Sequence, residues 1–368
     1  MSDAEVTREG PRGGRPGREA RVWSGVGGGR RDGGAGRNGS TGGRRRRRRG
    51  DGGDEHAFAS YYGQPIINPP VWEELEIGGY LFAGGLAGAS SIVAAGAQFS
   101  GRPASARASK VVAAGAIALS LAALVKDLGR PARFLYMLRV VKPSSPMSVG
   151  VWILFGYAPL AFASAASDVS GIAPRSGRAA GLGAGLLGAG VASYTAALIA
   201  DTAVPAWHGA HRELPFLFVG SAASAGAGAA LLAAPLAENG PARRLAVAGA
   251  LVELGFEQLM ERRLGMVAEA LHEGTAGRRL RAAKGLAAAG ATLAALAGGR
   301  SRTAAAVAGA ALVAGSLLTR LGIFAGGMAS ARDPKYTVVP QRERLAAREG
   351  SWRVGAESST GAAAGASD

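Results

Sequence analysis

The sequence predicts an all-α, polytopic transmembrane helix bundle of about eight spans behind a disordered, basic N-terminal tail. Three observations carry that prediction. Apolar segments recur from residue 77 to residue 324 at lengths suited to crossing a bilayer, whose hydrocarbon core of about 30 Å takes roughly 20 helical residues. Glycine is abundant, 59 of 368 residues, and much of it is interleaved with Ala and Leu rather than Ser and Pro. Small residues inside apolar runs let helix backbones approach closely where lipid supplies no hydrophobic drive to association. Charge is segregated: of 42 Lys and Arg, 14 fall in residues 1–49, including the run Arg44 to Arg49.

Residues 1–58 form an Arg- and Gly-rich tail almost free of aliphatic side chains, so they cannot bury enough apolar surface to fold. A net charge of +16 would suggest nucleic-acid binding if it were spread over one domain, but it is concentrated at the ends of the chain. Trp23 is the only aromatic stacking partner before Phe58, so no nucleic-acid partner is expected, and contact with anionic lipid headgroups is the alternative to a merely solvated tail. No apolar stretch follows the early arginines, so neither a secretory nor a twin-arginine signal is visible. The absence of cysteine removes disulfides, thiolate metal sites and covalent haem attachment.

The spans are predicted at about 77–99, 108–125, 148–167, 179–200, 213–236, 244–260, 284–299 and 303–324, giving a membrane domain over 59–328 and a C-terminal tail over 329–368. Before the first, Pro65, Pro69 and Pro70 prevent a regular helix, while Trp72 and Tyr80 suit a headgroup boundary. Glu73, Glu74 and Glu76 then stand where the positive end of the helix dipole favours acid. They serve either as caps or as proton acceptors for a bound quinol. The second span ends at Asp127, and Gly129 permits a sharp turn into a short amphipathic stretch, Arg130 to Met137, which is either a loop anchor with a docking surface or part of an active site. In the fourth, Gly183, Gly185 and Gly188 spell GxGxxG, but no strand precedes them, so a dinucleotide site is not expected. Gly181, Gly185 and Ala189, like Gly84 and Gly88 in the first span, read instead as small faces for helix packing. The sixth carries Glu253 and Glu257. The seventh is short, bounded by the charged connection Glu261 to Lys284. Arg320 is expected near the end of the eighth, its long side chain reaching the headgroups.

Loop charge gives a weak orientation. With the N-terminus inside, twelve basic residues lie in inner loops and nine in outer ones. The tails add to the inner side, so both termini are expected in the cytoplasm, in a multi-pass protein of the inner or plasma membrane.

All four histidines, His56, His208, His211 and His272, fall in tails or connections. A membrane dihaem cytochrome needs axial ligands on facing helices, so no haem is expected. His208 and His211 have only Glu213 and Asp201 near them, too few ligands for a metal site. Ionisable residues at membrane depth are functional candidates by default, which places Asp127, Asp201 and Glu253 on that list, the last two for a proton pathway.

Three strings, WEELEIGGYLFAGGLAGAS at 72–90, DLGRPARFLYMLRVVKPSSPMSVGVW at 127–152 and SYTAALIADTAVPAWHGAHRELPFLFVGSA at 193–222, resemble the membrane subunit of polysulfide reductase, the NrfD-type family, along residues 60–338. The second is the most specific, through Asp127, Gly129, Arg130, Pro131, Arg133, Phe134 and the block Pro143 to Ser148. The resemblance implies an eight-span subunit without haem that binds menaquinone or a related quinone near one face. Its partners would be a four-cluster ferredoxin-like iron-sulfur subunit and a molybdopterin catalytic subunit, as in a formate dehydrogenase-like complex. Carried onto this chain, the quinone site takes Glu76, Tyr80, Asp127, Arg130, Tyr157 and Tyr194. Some relatives present histidine or asparagine near the first span, where this chain has glutamate. Basic Arg133, Arg139 and Lys142 are the expected partner-docking surface. Two other functions stay open: a proton or small-solute transporter, motivated by the carboxylates at depth, and a structural anchor without a working quinone site.

Overall fold

In a computed structural model of the chain, the described residues are 66–127 and 136–346, with two backbone pairs near the N-terminus, β1 (Val6–Thr7) and β2 (Gly10–Pro11). The strands pair antiparallel, Val6 with Pro11 and Thr7 with Gly10. Apart from these, the expectations for residues 1–58, and those for Arg130 and Arg133, lie outside the described residues.

Residues 66–346 form an all-helical bundle. Its long helices are α1 (Glu74–Phe99), α2 (Pro103–Asp127), α3 (Pro146–Ser170) and α4 (Pro174–Ala200). After a short α5 (Pro205–Gly209) come α6 (Leu214–Ala233) and α7 (Gly240–Leu264). A second short helix, α8 (Glu269–His272), precedes α9 (Gly274–Leu296) and α10 (Arg302–Arg332). Six of the eight long helices are apolar enough to cross a membrane by themselves; α7 and α9 are not. The eight positions nevertheless match the predicted spans.

Three boundaries differ from the sequence reading. The segment 261–284 is no open connection: α7 continues to Leu264, a 3-10 turn spans Gly265–Ala268, and α9 begins ten residues before the predicted start. Breaks fall at Gly265 and Gly274, both at positive φ. Helix persists because its charges are paired between helices, Lys284 with Glu261 at 2.8 Å and with Glu257 at 3.5 Å, whereas hydropathy counts each charge alone. Likewise α10 runs eight residues past its predicted end. Arg320, expected to reach the headgroups, is therefore an interior residue with 0% exposure. Finally, residues 335–346, predicted as tail, are helical, and Tyr336 joins the core.

The long helices form two four-membered groups of the same pattern. In the first, α1 packs on α2 and α4, and α3 packs on α2 and α4; in the second, α6 packs on α7 and α10, and α9 packs on α7 and α10. The groups meet where α1 lies against α6 and α10, and α4 against α6. Each group brings its first and last helices together at glycines. A Cβ on Gly88 of α1 would collide with the backbone of Gly188 in α4, and Gly228 of α6 stands in the same relation to Gly309 of α10. Gly88 lies on a small-residue face that the sequence suggested, whereas the Gly228 and Gly309 contact was not anticipated.

Trp72, just before α1, and Arg332, the last residue of α10, border one cavity, so both ends of the bundle emerge on one side, here the near face. On the far face the exposed carbonyls at helix ends are satisfied by arginine. Arg302 donates to Leu231 O at 2.6 Å, to Ala234 O at 3.1 Å and to Leu232 O at the end of α6. Arg243 donates to Ala294 O and Ala295 O at the end of α9, each at 2.8 Å. Those bonds complete helix termini that have no intrahelical partners.

Candidate functional site

The near-face end of α1 gathers most of the predicted residues. Pro69 and Pro70 hold the chain out of helix, Glu73 is extended at φ −81° and ψ 133°, and α1 starts at Glu74. No side chain caps this end. The acids of the first turn reach across to other helices instead, and a spacing of two residues sends Glu74 and Glu76 to different sides. Glu74 pairs with Arg279 of α9, and Glu76 with Lys126 of α2 at 2.6 Å. Asp127 follows Lys126 at the end of α2, half-buried and in the field of Glu76 and Glu73.

One turn deeper, Tyr80 is buried and its hydroxyl meets that of Tyr194 from α4. Ser120 of α2 donates to the Tyr80 carbonyl at 3.3 Å, and the Tyr194 ring rests on Gly150 of α3, where a Cβ would collide with it. Tyr157 lies further in, fully buried, with its hydroxyl 2.8 Å from Ser91 Oγ. The three tyrosines are thus brought together inside the first group. They bond to each other or to serine, and none of them borders the cavities described below.

The other side of the α1 terminus opens on a cavity of about 550 Å³, within the usual range for a small-molecule site. Trp72, Phe324 and Met328 form its apolar wall, and Glu74, Glu273, Thr275, Arg332 and Asp333 its polar rim. The wall is backed by an aromatic stack. Trp72 lies 6.0 Å from Trp207 at an interplanar angle of 22°, and Trp207 lies 5.5 Å from Phe324. Trp207 is fixed by donating its indole N–H to Ile323 O at 2.9 Å, and only a glycine, Gly327, leaves room for its ring. Tyr336, from the segment after α10, completes the lining, and burial pushes its hydroxyl pKa up. Sequence reasoning missed Phe324, Met328 and Tyr336, because they sit at or beyond the predicted end of the eighth span.

The remaining candidates separate. Arg139 and Lys142 are exposed on the connection between α2 and α3, with the Arg139 guanidinium over the Tyr136 ring at 4.4 Å. That connection is pinned to α3 by Ser148, which accepts from Lys142 N at 3.0 Å and donates to Val140 O at 3.1 Å. Asp201 follows the end of α4 and is exposed at the near face. Glu253 is buried at 2% exposure in the middle of α7, where Thr319 of α10 donates to it at 2.7 Å. His208, His211 and His272 all lie in the near-face connections.

Chemically, the α1 terminus offers an aromatic-walled cavity with the carboxylates of Glu74, Glu273 and Asp333 on its rim, and a further one, Glu76, one helix face away. Flat aromatic surfaces favour offset stacking of another ring, and carboxylates near a membrane face can exchange protons with water.

A search of curated proteins finds none that matches. The family model described as polysulphide reductase, NrfD, matches residues 65–275, from the approach to α1 through the start of α9. That is more than half of the sequence, and it contains Trp72, Glu74, Glu76 and Trp207, while Phe324, Met328 and Tyr336 of the cavity lie beyond it. This chain belongs to the NrfD polysulphide reductase family, whose members are membrane subunits of quinone-linked oxidoreductase complexes.

Proposed function

We propose that this subunit exchanges electrons between the membrane quinone pool and an iron-sulfur partner, which in turn serves a molybdopterin catalytic subunit, and that menaquinone or a related quinone binds at the near-face end of α1. The observation that carries this reading is the aromatic-walled cavity beside Trp72 and Glu74. A quinone head is flat, apolar on its faces and polar at two carbonyls, and it suits a site with stacking walls and few convergent polar groups. On this reading Arg332 on the rim donates to a quinone carbonyl, and Glu74 exchanges the protons that accompany two-electron chemistry. Electrons must come from outside the chain, since it has no cysteine to hold a cluster. The exposed Arg139 and Lys142 suit an acidic partner through electrostatic steering, and with both termini inside, that partner is cytoplasmic.

The other flank of the same helix end gives a second placement for the head, against Glu76, Tyr80, Asp127 and Tyr194. It is favoured by the Glu76 carboxylate, which is 14% exposed and already bridged to Lys126.

The test is quinone turnover by the assembled complex. Trp72→Ala and Glu74→Gln should slow it at least tenfold, about 1.4 kcal/mol in barrier, while assembly and the partner's activity with soluble dyes persist. On the second placement, Glu76→Gln and Asp127→Asn have that effect instead. If all four variants keep turnover within about twofold, roughly 0.4 kcal/mol, neither flank holds the quinone.

A further inference from the structure

The second helix group contains a buried set of charges that electron exchange at α1 does not use. On α7, Glu253, Glu257 and Glu261 follow one another at a spacing of four, which stacks them along one face about one helical turn apart. Glu261 is nearest the surface, with His272 Nε2 of α8 at 3.2 Å and the half-exposed His272 open to solvent. Lys284 of α9 stands between the outer and middle acids, 2.8 Å from Glu261 and 3.5 Å from Glu257. Glu257 and Glu253 are 1% and 2% exposed.

The ladder ends at Glu253. One of its carboxylate oxygens accepts from Thr319, and the other has no hydrogen-bond partner. Arg320 acts on it electrostatically and is itself only partly satisfied: Nη2 donates to Phe218 O at 2.8 Å, while Nε and Nη1 have no partner. From α6 only the hydroxyls of Ser221 and Ser224 face this acid.

Beyond Glu253, toward the far face, the interior of the group is closed. Ala246, Ala250, Ala294, Ala305, Ala308 and Leu312 pack into one buried apolar cluster, and the Gly228 and Gly309 backbones touch in the same half. No titratable side chain of α6, α7, α9 or α10 intervenes before Arg243, Arg244 and Arg302; Arg243 and Arg302 are engaged at helix ends, and Arg244 is exposed on the outside of α7.

We propose that this group is a one-sided proton well: a relay through Glu261, Lys284 and Glu257, open to the near face, that delivers a proton to Glu253 and does not cross the membrane. Charge balance supports it. Three carboxylates share the set with two cations, Lys284 and Arg320, and the arginine is always charged. Burying an uncompensated ion is costly, so the set is neutral when one glutamate carries a proton, and that proton is the one exchanged with His272 and water. Transfer between neighbouring acids moves it one turn inward without a net change of buried charge. The alanine cluster gives it nowhere further to go.

The test needs neither quinone nor partner, so its failure is separable from failure of the quinone reading. The full chain is reconstituted in vesicles of one orientation and treated with dicyclohexylcarbodiimide, which modifies protonated carboxyls in apolar surroundings, and adducts are located by mass spectrometry. Adducts at Glu253 or Glu257 should rise several-fold when the near side is acidified and stay unchanged when only the far side is. A pH dye in the lumen should show no flux above that of protein-free vesicles under an imposed potential. In Glu257→Gln, modification of Glu253 should lose its response to near-side pH. Adducts that follow far-side pH, a sustained proton current, or no adduct at either glutamate at any pH would each overturn the proposal, and the wild-type comparison does not depend on any variant folding.

Discussion

Arg320 shows how much one residue's role depends on the length of its helix. Read from hydropathy, it ends a span and snorkels; with α10 extended to Arg332 it becomes an interior cation under Phe218, its guanidinium 3.8 Å from the ring centroid. No local sequence signal distinguishes those cases, because the deciding partner, Glu253, is 67 positions away on another helix. Glu253 itself was legible as a candidate, since an acid at membrane depth stands out. Its companions Lys284 and Glu261 were read as loop charge. Glu76 and Tyr80 of α1, Asp127 of α2 and Tyr194 of α4 were all candidates from the sequence, and the structure gathers them at one end of the first group. The Trp207 and Phe324 stack was not foreseen, as aromatic stacking across a bundle depends on tertiary contact. Arg320 and Glu253 are buried opposite charges coupled electrostatically without an ion-pair contact; removing one leaves the other uncompensated, whereas removing both costs far less. Arg320→Met alone should therefore lower the thermal unfolding temperature in detergent strongly, and Arg320→Met with Glu253→Gln should recover most of the loss. Equal destabilisation of the single and double variants would show that the two side chains are not energetically coupled.

Among the elements, α7 and α9 depart most from a simple hydropathy picture. Each is long enough to span, and charge on each is met partly by the other, Lys284 of α9 by Glu257 and Glu261 of α7. Helix existence was legible for all eight because apolar residues recur in every segment; the start of α9 was not, because Lys284 is paired with acids of α7, nor was the end of α10, where small residues such as Gly326 and Gly327 pack closely on Leu271 and Trp207. The glycine faces were legible in part. Spacing of four marked Gly84, Gly88, Gly181 and Gly185 as packing positions, but not that Gly88 meets Gly188 or that Gly228 repeats the contact with Gly309. The contrast with an open glycine tests this. Gly115 on α2 has nothing near the position of an added Cβ, so Gly115→Leu should leave the melting temperature and detergent-extracted yield close to wild type. Gly88→Leu must drive α1 from α4, and overpacking of this kind costs typically about 1–3 kcal/mol. It should lower the melting temperature and the yield of folded protein. Comparable behaviour of the two variants would mean that the α1 and α4 interface is looser than the structure has it.

For the whole molecule, eight alternating long helices bring both ends of the bundle to the near face, where the cavity beside Trp72, the mouth of the acid ladder at His272 and the exposed Arg139 and Lys142 all open. The far face differs in chemistry as well as in position. Its arginines Arg243 and Arg302 are spent on helix carbonyls, and Lys110 on Asp168 at 3.0 Å. The loop count of twelve to nine barely favoured one orientation, and pairing does not sharpen it, since near-face Lys126, Arg263, Arg279 and Lys284 are bridged to acids as far-face Lys110 is; the weight rests on the basic tails. Near-face Arg139 and Lys142 make no such internal pairs with acids among the described residues. With both basic tails in the cytoplasm, as the sequence reading expects, the near face would be the side from which quinone chemistry and the proton well are served. Reporter fusions at Ser40 and Ser359 should both report cytoplasm, and an insertion at Gly171, in the turn between α3 and α4, should report the opposite side. A periplasmic signal from both termini with a cytoplasmic one from Gly171 would invert the molecule and move the partner across the membrane. Opposite signals from the two termini would remove a span, and with it the pairing of α7 with α9 on which the second helix group depends.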